Sequence, residues 1–205
     1  GSDQSLPQLI AFVQKLVDSG ADWITLHPRT AEQKRRGQAD WNQITELKKV
    51  IQVPLIGNGD IQTVDDALAM LTQTQVDKVM SGRGLAARPW MMWQLGEKLG
   101  FAEPVLHKGR RAPMTEIEEG SEYGACLLKL IDYAEESFIG QALAAESLAI
   151  RKIQFYIRTT HVWLEFGHTL MAKTSRVQSL EELREQVRIF FTNEQRMFAR
   201  TELRQ

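Results

Sequence analysis

The sequence predicts an α/β region followed by an all-α region. Two observations indicate the first: short apolar runs of strand length alternate with amphipathic helical segments, and each run ends in a glycine-rich or polar turn. A third observation indicates the all-α region: no strand pattern follows Ser81, and the apolar residues after residue 114 keep helical spacing. Strands that alternate with helices are typical of a parallel sheet.

Composition is ordinary for a globular protein. The chain has 205 residues, 43% hydrophobic and 25% charged, with a formal net charge of −1. With so little net charge, the protein as a whole is not attracted to nucleic acid or membrane, so any such binding must come from local charged patches. The only cysteine, Cys126, excludes an internal disulfide framework and favours a cytoplasmic setting. The sequence indicates no membrane partner and no metal site.

The first predicted elements are a helix and a strand. We expect the helix to begin at Leu6 with a capping box between Ser5 and Gln8, and to end at Gly20. The first strand follows at Trp23–Leu26.

Two further strand–helix units follow a helix with an apolar side around Ile44 and Leu47. The predicted elements are strand Val53–Ile56, helix Val64–Thr72 capped by Thr63, strand Lys78–Ser81, and helix Pro89–Leu99 closed by Gly100.

Short strand–helix units with glycine-rich turns after the strands are typical of a (β/α)₈ barrel. Three strands cannot close such a barrel. The sequence therefore leaves two interpretations: a small open sheet, or the C-terminal part of a barrel of the TIM type whose first strands are absent.

The second region predicts a helical bundle. It begins with a capping box between Thr115 and Glu118, and Gly140 interrupts the helical pattern. The further predicted helices are Gln141–Thr159, Val162–Ala172, and Leu180–Arg200 with Ser179 and Glu182 at its start. The predicted domains are residues 1–105 and 115–205, joined by a connector at 106–114.

Two glycine turns end consecutive strands, "GNGD" from Gly57 and "SGRG" from Ser81. In barrels the loops at the corresponding places bind phosphate through backbone N–H groups and helix N-termini. Gly59 and Gly82 would admit a phosphate, and Arg83 could add a charge-assisted contact. The alternative is that the glycines only make tight turns; their occurrence on consecutive strands favours the phosphate.

His27 and Arg29 lie at the end of the first strand, in "LHPRT". This is the active-site side of a barrel. Such a histidine could hydrogen-bond a cofactor, a phosphate or a substrate carbonyl. A histidine before proline is also a common turn residue, so this motif by itself decides nothing.

Taken together, these motifs resemble one family. "HPRT" from His27, "GQADWNQITELKKVIQVPLIGNGDI" from Gly37, "VDKVMSGRGLAARPWM" from Val76 and "RKIQFYI" from Arg151 resemble the C-terminal portion of the bacterial tRNA-dihydrouridine synthases. The resemblance implies an FMN-binding barrel with a helical C-terminal domain. It also implies that NADPH reduces FMN, that reduced FMN delivers hydride to a tRNA uridine at its C5–C6 bond, and that a cysteine is the general acid.

The resemblance also implies roles for individual residues. FMN-phosphate contacts would come from Asn58, Gly59, Asp60, Gly82 and Arg83, and His27 would lie near the flavin or its phosphate.

One departure from the family concerns catalysis. The family's acid cysteine, with a lysine and a glutamine that contact FMN, lies in the first half of the barrel, before the matched region. Cys126 lies on the apolar stripe of a predicted helix, where a cysteine behaves as a small hydrophobe. We therefore expect a fragment with no catalytic residue of its own, inactive as it stands.

The helical half is not basic overall, but its middle has only Glu165 among several cations. These cations could contact the phosphates of an RNA, or they could form a helix face that is only exposed to solvent. The resemblance favours contact with RNA. Phe155, Tyr156 and Trp163 could stack on a base, although helical spacing favours the core. The candidate substrate-binding residues are Arg29, Arg151, Lys152, Arg158, Lys173 and Arg176. Lys34–Arg36 and Lys108–Arg111 are further candidates in loops, and they are equally consistent with surface loops that bind no RNA.

Two other functions fit part of the sequence. A flavin dehydrogenase of a small cyclic substrate would share the glycine turns but need no basic helical half. A non-catalytic RNA-binding module would use the strands only as scaffold. In each case an open partial barrel exposes strand edges, so we expect self-association through those edges or poor order in the first half.

Overall fold

The computed structural model describes residues 5–30, 37–138 and 145–201. The chain packs as two compact units, the first ending at Gly84 and the second spanning Leu85–Thr201. The parallel sheet belongs to the first unit and the long helices belong to the second. The predicted division into a partial barrel at 1–105, a connector at 106–114 and a helical domain at 115–205 stays a prediction.

The first unit alternates helices and strands, which confirms the α/β prediction. All three strands are parallel, in the spatial order β1-β2-β3. The elements are α1 (Leu6–Asp18), β1 (Ile24–Leu26), α2 (Trp41–Val50), β2 (Leu55–Asn58), α3 (Val64–Thr74) and β3 (Lys78–Met80).

β2 begins two residues later than predicted and extends through Gly57 and Asn58. In the register of the sheet Leu26 pairs with Gly57, and Asn58 pairs with Met80. Pro54 accepts the Ile24 N–H through its carbonyl at 3.0 Å but has no N–H to donate, and the paired strand begins at Leu55. The first half of "GNGD" is therefore strand, and the turn itself begins at Gly59.

The sheet has one covered and one exposed face. Leu55 points to the covered face and is fully buried, as are Ile44 of α2 and Met70 of α3. On the opposite face Lys78 and Met80 are exposed. Since parallel sheets are normally covered on both faces, this exposed face is unusual for a parallel sheet.

Side-chain caps define two of these helices. Thr63 and Asp66 form a reciprocal capping box at the start of α3, which confirms the predicted cap, and Asp40 caps α2. The predicted box between Ser5 and Gln8 is wrong, because the Ser5 side chain makes no cap hydrogen bond. The backbone N–H of Gln8 donates instead to the Ser5 carbonyl, at 2.9 Å.

The second unit consists of helices in the part that the structure describes. α6 packs against α7 and α9, and α8 packs against α7 and α9. The elements are α4 (Arg83–Ala87), which begins in the first unit, α5 (Met91–Lys98), a 3-10 turn Val105–His107, α6 (Glu116–Phe138), α7 (Ala145–Thr160), a 3-10 turn His161–Trp163, α8 (Gly167–Thr174) and α9 (Leu180–Phe190).

Two of the helices in this unit begin later than predicted. The segment from Pro89 becomes helical only at Met91, after the short α4, which the sequence analysis missed. α8 begins at Gly167 rather than Val162, because Phe166 adopts a left-handed conformation with φ 56°. Gly140 and residues 141–144 of the predicted helices lie outside the described residues.

The last helix is shorter than predicted, ending at Phe190 instead of Arg200. The chain after it bonds to other segments. Met197 donates its N–H to the Glu116 carbonyl at 2.9 Å and forms an antiparallel bridge with Leu164. The side chain of Gln195 donates to the Phe190 carbonyl at 3.1 Å. These bonds replace those of a continued helix.

Local caps in this unit follow the predictions. Thr115 and Glu118 form the expected capping box, and Ser179 caps α9. Glu182, also predicted at the start of this helix, accepts the Gln178 N–H at 2.8 Å. No helix in the described parts of the chain is long and apolar enough to cross a membrane.

A buried carboxylate links the segment before α5 to α6. Glu119 Oε1 accepts hydrogen bonds from Trp90 Nε1 at 3.1 Å and Gln94 Nε2 at 2.9 Å, and Glu119 Oε2 accepts from Arg88 Nε at 3.1 Å. Arg88 also donates to the Phe198 carbonyl. Buried charges of this kind require such partners, so Glu119 and Arg88 organise the interior of the second unit.

Candidate functional site

The carboxyl ends of the three strands form one edge of the sheet, and the predicted phosphate-site residues lie there. His27 follows β1, Gly59 follows β2, and Gly82 follows β3. Partial burial and the guanidinium of Arg29 lower the pKa of His27 from its ordinary value; Arg83 lowers it further, and Asp60 raises it. Residues from all three strand ends therefore lie within electrostatic reach of one imidazole.

Arg29 is engaged within the chain. Its guanidinium forms an ion pair with Asp60 and donates to the Gly37 carbonyl at 2.9 Å, and its side chain is only 7% exposed. Asp60 in turn accepts the N–H of Ala39. The predicted contact of Arg29 with RNA stays a prediction, and this placement favours a structural role.

Arg29 nevertheless has an unused donor. Among the described residues its Nε atom is buried without a hydrogen-bond partner. A buried, unsatisfied N–H group is costly, and an anion at this edge of the sheet would satisfy it.

The glycines of the two turns differ in what requires them. Gly59 has φ 123°, and an added Cβ would lie 2.6 Å from the Ala39 Cβ. A Cβ on Gly84 would lie 2.5 Å from the Ile61 carbonyl oxygen. At Gly82 an added Cβ would have nothing within 4 Å. Backbone conformation and packing explain Gly59 and Gly84, whereas Gly82 borders open space that a ligand atom can enter.

The N-terminus of α3 is already used by its own residues. Asp66 Oδ2 accepts the N–H groups of Gln62 at 3.0 Å and Thr63 at 2.9 Å, and Thr63 Oγ1 accepts that of Asp66 at 3.3 Å. The helix after "GNGD" therefore offers these N–H groups to its own cap rather than to a phosphate. The turn after β3 is the stronger half of the predicted site.

Asn58 and Asp60 take different positions around β2. Asn58 is half-buried, and its Nδ2 lies 3.5 Å from the sulfur of Met80 on the exposed face of the sheet. Asp60 has φ 59° and directs its carboxylate to Arg29. This carboxylate is turned toward a cation of the same chain, and the predicted contact of Asp60 with a phosphate stays a prediction.

Four of the five predicted RNA-binding cations of the second unit lie on the neighbouring helices α7 and α8, and Arg176 follows α8. Gln154 of α7 donates to the Thr174 carbonyl at the end of α8, at 3.0 Å. Arg151 and Arg158 lie three and four positions from Gln154, so each is about one turn of α7 away from this contact with α8. All five cations are exposed: Arg151, Lys152, Arg158, Lys173 and Arg176.

Three aromatic residues were predicted to be core. Trp163 is fully buried, as predicted, and Tyr156 is half-buried with its hydroxyl donating to the Ala86 carbonyl at 2.9 Å. The prediction is wrong for Phe155, which is 62% exposed. Its cationic neighbours at positions 151, 152 and 158 are the sequence feature that marks this side of the helix as outward-facing.

Cys126 is half-buried on α6. Burial, together with the nearby Glu122, raises the pKa of its thiol to about 11. It is therefore protonated at neutral pH and is not an activated nucleophile.

The loop candidates for RNA binding are partly engaged elsewhere. Arg110 pairs with Glu122 at 3.2 Å, and Arg111 pairs with Glu118. Lys34–Arg36 lie outside the described residues.

Comparison with known proteins places the chain in a family. The sequence profile described as dihydrouridine synthase (Dus) matches residues 1–104, which include both glycine turns and His27. The chain belongs to the dihydrouridine synthase family. The second unit lies largely beyond this match.

Curated members of this family are similar to the chain over part of their length. The probable tRNA-dihydrouridine synthase of Rhizobium leguminosarum bv. phaseoli is 45% identical over 86 residues, covering 42% of this chain and 26% of that protein. The probable enzyme of Mycobacterium leprae is 48% identical over 77 residues, or 37% and 20%. That of Helicobacter pylori (strain ATCC 700392 / 26695) is 34% identical over 109 residues, or 53% and 33%. The chain thus matches a fifth to a third of these relatives.

Proposed function

We propose that this protein is an FMN-dependent tRNA-dihydrouridine synthase of the cytoplasm, an oxidoreductase that uses NADPH to reduce a tRNA uridine to 5,6-dihydrouridine. Family membership and the names of the relatives support the reaction. The main observation in support of the cofactor is the cluster of His27, Arg29 and Arg83 beside the open space at Gly82. In this proposal the three strands are part of a (β/α)₈ barrel.

The residues at the sheet edge fit an FMN phosphate. Gly82 leaves room for an oxygen atom to approach the backbone, and Arg83 supplies positive charge at the same turn. Arg29 has a buried N–H to offer, and Asp60 holds its guanidinium in place. His27, neutral at pH 7 because its pKa is lowered, can donate one ring N–H to the phosphate or the flavin. When bound, FMN would supply the hydride.

Titration of FMN into the full chain, followed by flavin fluorescence, tests the cofactor site. We expect saturable binding that weakens about tenfold in Arg83→Ala, the loss typical of one charge-assisted hydrogen bond. Riboflavin, which lacks the phosphate, should bind the wild type and Arg83→Ala equally weakly. Arg188→Ala, an exposed arginine of α9, is the matched control and should bind FMN as the wild type does. Equal affinity for FMN and riboflavin would contradict the phosphate site.

We also propose that the exposed cations of α7 and α8 bind the tRNA backbone. Positive side chains on adjacent helices can displace counterions from RNA, so binding should weaken as salt rises. The double variant Arg151→Ala/Arg158→Ala should lower the affinity for a tRNA transcript and flatten its salt dependence. An unchanged salt dependence would show that these cations contact no phosphate.

The exposed sheet face supports self-association as a further proposal. Trp23 and Met80 are 59% and 47% exposed, and β1 and β3 are edge strands of the described sheet. Such edges and apolar faces favour pairing with a second copy. Sedimentation velocity should show a mass that rises with concentration, and less so in Met80→Lys. A monomer at all concentrations would contradict this.

A further inference from the structure

We propose that Phe155 is a stacking site for an unpaired RNA base. The inference rests on the proposed tRNA-binding role and names the part of the RNA that this helix recognises. Phe155 projects from the middle of α7 with 62% of its surface exposed, although Ile153 and Ile157 of the same helix are buried. Single exposed apolar residues are common on protein surfaces, so the residues around this ring decide whether it belongs to a contact surface.

The surroundings of this ring are cationic. On a helix the neighbours of a residue are those three and four positions away, about 5–6 Å between Cβ atoms. For Phe155 these are Arg151 and Lys152 on one side, and Arg158 and Thr159 on the other, and all four are exposed. The sequence contains no Asp or Glu between Glu146 and Glu165. The ring is therefore surrounded by three cations with no carboxylate on the same helix face.

These cations have no acidic partner in the described part of the chain. Among the described residues, Arg151, Lys152 and Arg158 take part in no ion pair. By contrast, Arg184 on α9 pairs with Asp132, Glu135 and Glu181. The charge on this face of α7 is thus available to an external anion.

Charge and ring together select the ligand. The cations favour a polyanion, and an exposed aromatic ring among them offers a π-face to a base. In a duplex the faces of each base are covered by its neighbours, so only an unpaired, unstacked base can cover Phe155. The chemistry that fits this surface is a loop or single-stranded nucleotide whose base lies on Phe155 and whose phosphates contact the flanking cations.

The test compares single-stranded and duplex RNA on the full chain. Fluorescence anisotropy would measure binding of a labelled strand of about 12 nucleotides, a duplex of about 16 base pairs and a tRNA transcript. We expect Phe155→Ala to weaken binding of the single strand about tenfold and to leave the duplex unchanged. Phe155→Tyr keeps the ring and should restore the affinity. Phe12→Ala is the matched control, since Phe12 is a helical phenylalanine with 53% exposure on α1.

The outcomes separate this inference from the proposed function. If the wild type binds RNA and Phe155→Ala binds the single strand as tightly, the stacking site is overturned while RNA binding stands. Equal losses for strand and duplex would also overturn it, because the ring would then act only by supporting the cations. If the wild-type chain binds no RNA, both the inference and the proposed role of the helices are overturned.

Discussion

Arg29 and Asp60, 31 positions apart in the chain, form an ion pair between the segment after β1 and the turn after β2. The arginine side chain is 7% exposed and that of the aspartate 29%. Asp60 reaches it from a left-handed backbone conformation that favours glycine, asparagine or aspartate. The pair thus fixes the relative positions of two predicted site segments before any ligand is bound.

Asp60→Asn should destabilise the protein while keeping the backbone turn. Asparagine tolerates the same φ, so the change removes the countercharge of a buried guanidinium. Because Asp60 is partly exposed, we expect a loss of about 1–3 kcal/mol in the free energy of unfolding, below that of a fully buried pair. Urea unfolding would measure it. Asp22→Asn, at an exposed position, is the control, and an equal effect in both variants would contradict the role of the pair.

Glu119→Gln should be more disruptive than the same change one residue earlier. Glu119 accepts from Trp90, Gln94 and the buried Arg88, which would lose its countercharge. We expect a loss of about 3 kcal/mol. Glu118→Gln keeps the capping box, since glutamine also serves at this position, and removes only an exposed pair with Arg111. Thermal unfolding of the two variants should therefore differ clearly; similar melting temperatures would show that the Glu119 cluster adds little stability.

Gly82→Ala and Gly84→Ala should separate a ligand effect from a folding effect. Alanine at position 82 has space in the protein, so the melting temperature should stay the same while FMN binding weakens, because the methyl group occupies the proposed approach of the phosphate. Alanine at position 84 would collide with the Ile61 carbonyl and should lower the melting temperature. Undiminished FMN binding by Gly82→Ala would place the phosphate elsewhere.

The titration of His27 should report on its charged neighbours. Its pKa is lowered from 6.5, so the folded state resists protonation. The neutral form of His27 therefore contributes to the free energy of unfolding above pH 6.5, and this contribution is lost as the pH falls through the lowered pKa. Arg83→Ala removes a cation and should raise the pKa of His27. NMR of the imidazole carbons would measure this, with His27→Gln for assignment; an unchanged pKa in Arg83→Ala would show that the guanidinium is not near the ring.

Local sequence determined the features that depend on neighbouring residues. The alternation of strands and helices, the caps at Thr63, Thr115 and Ser179, and the site segments after the strands all followed from patterns within a few positions. A side-chain cap needs only its own helix, and parallel strands bring their carboxyl ends to one edge. Family motifs then indicated the cofactor, which composition and periodicity alone did not.

Tertiary structure decided what depends on distant partners. α9 ends at Phe190 because residues after it bond to Glu116 and Leu164. Arg29 is held by Asp60 with only 7% of its side chain exposed, and Phe155 is exposed although its helical spacing predicted burial. Hydrophobic periodicity shows that a helix has a buried side, but which residues at the margin of that side are covered depends on the helices that pack against it.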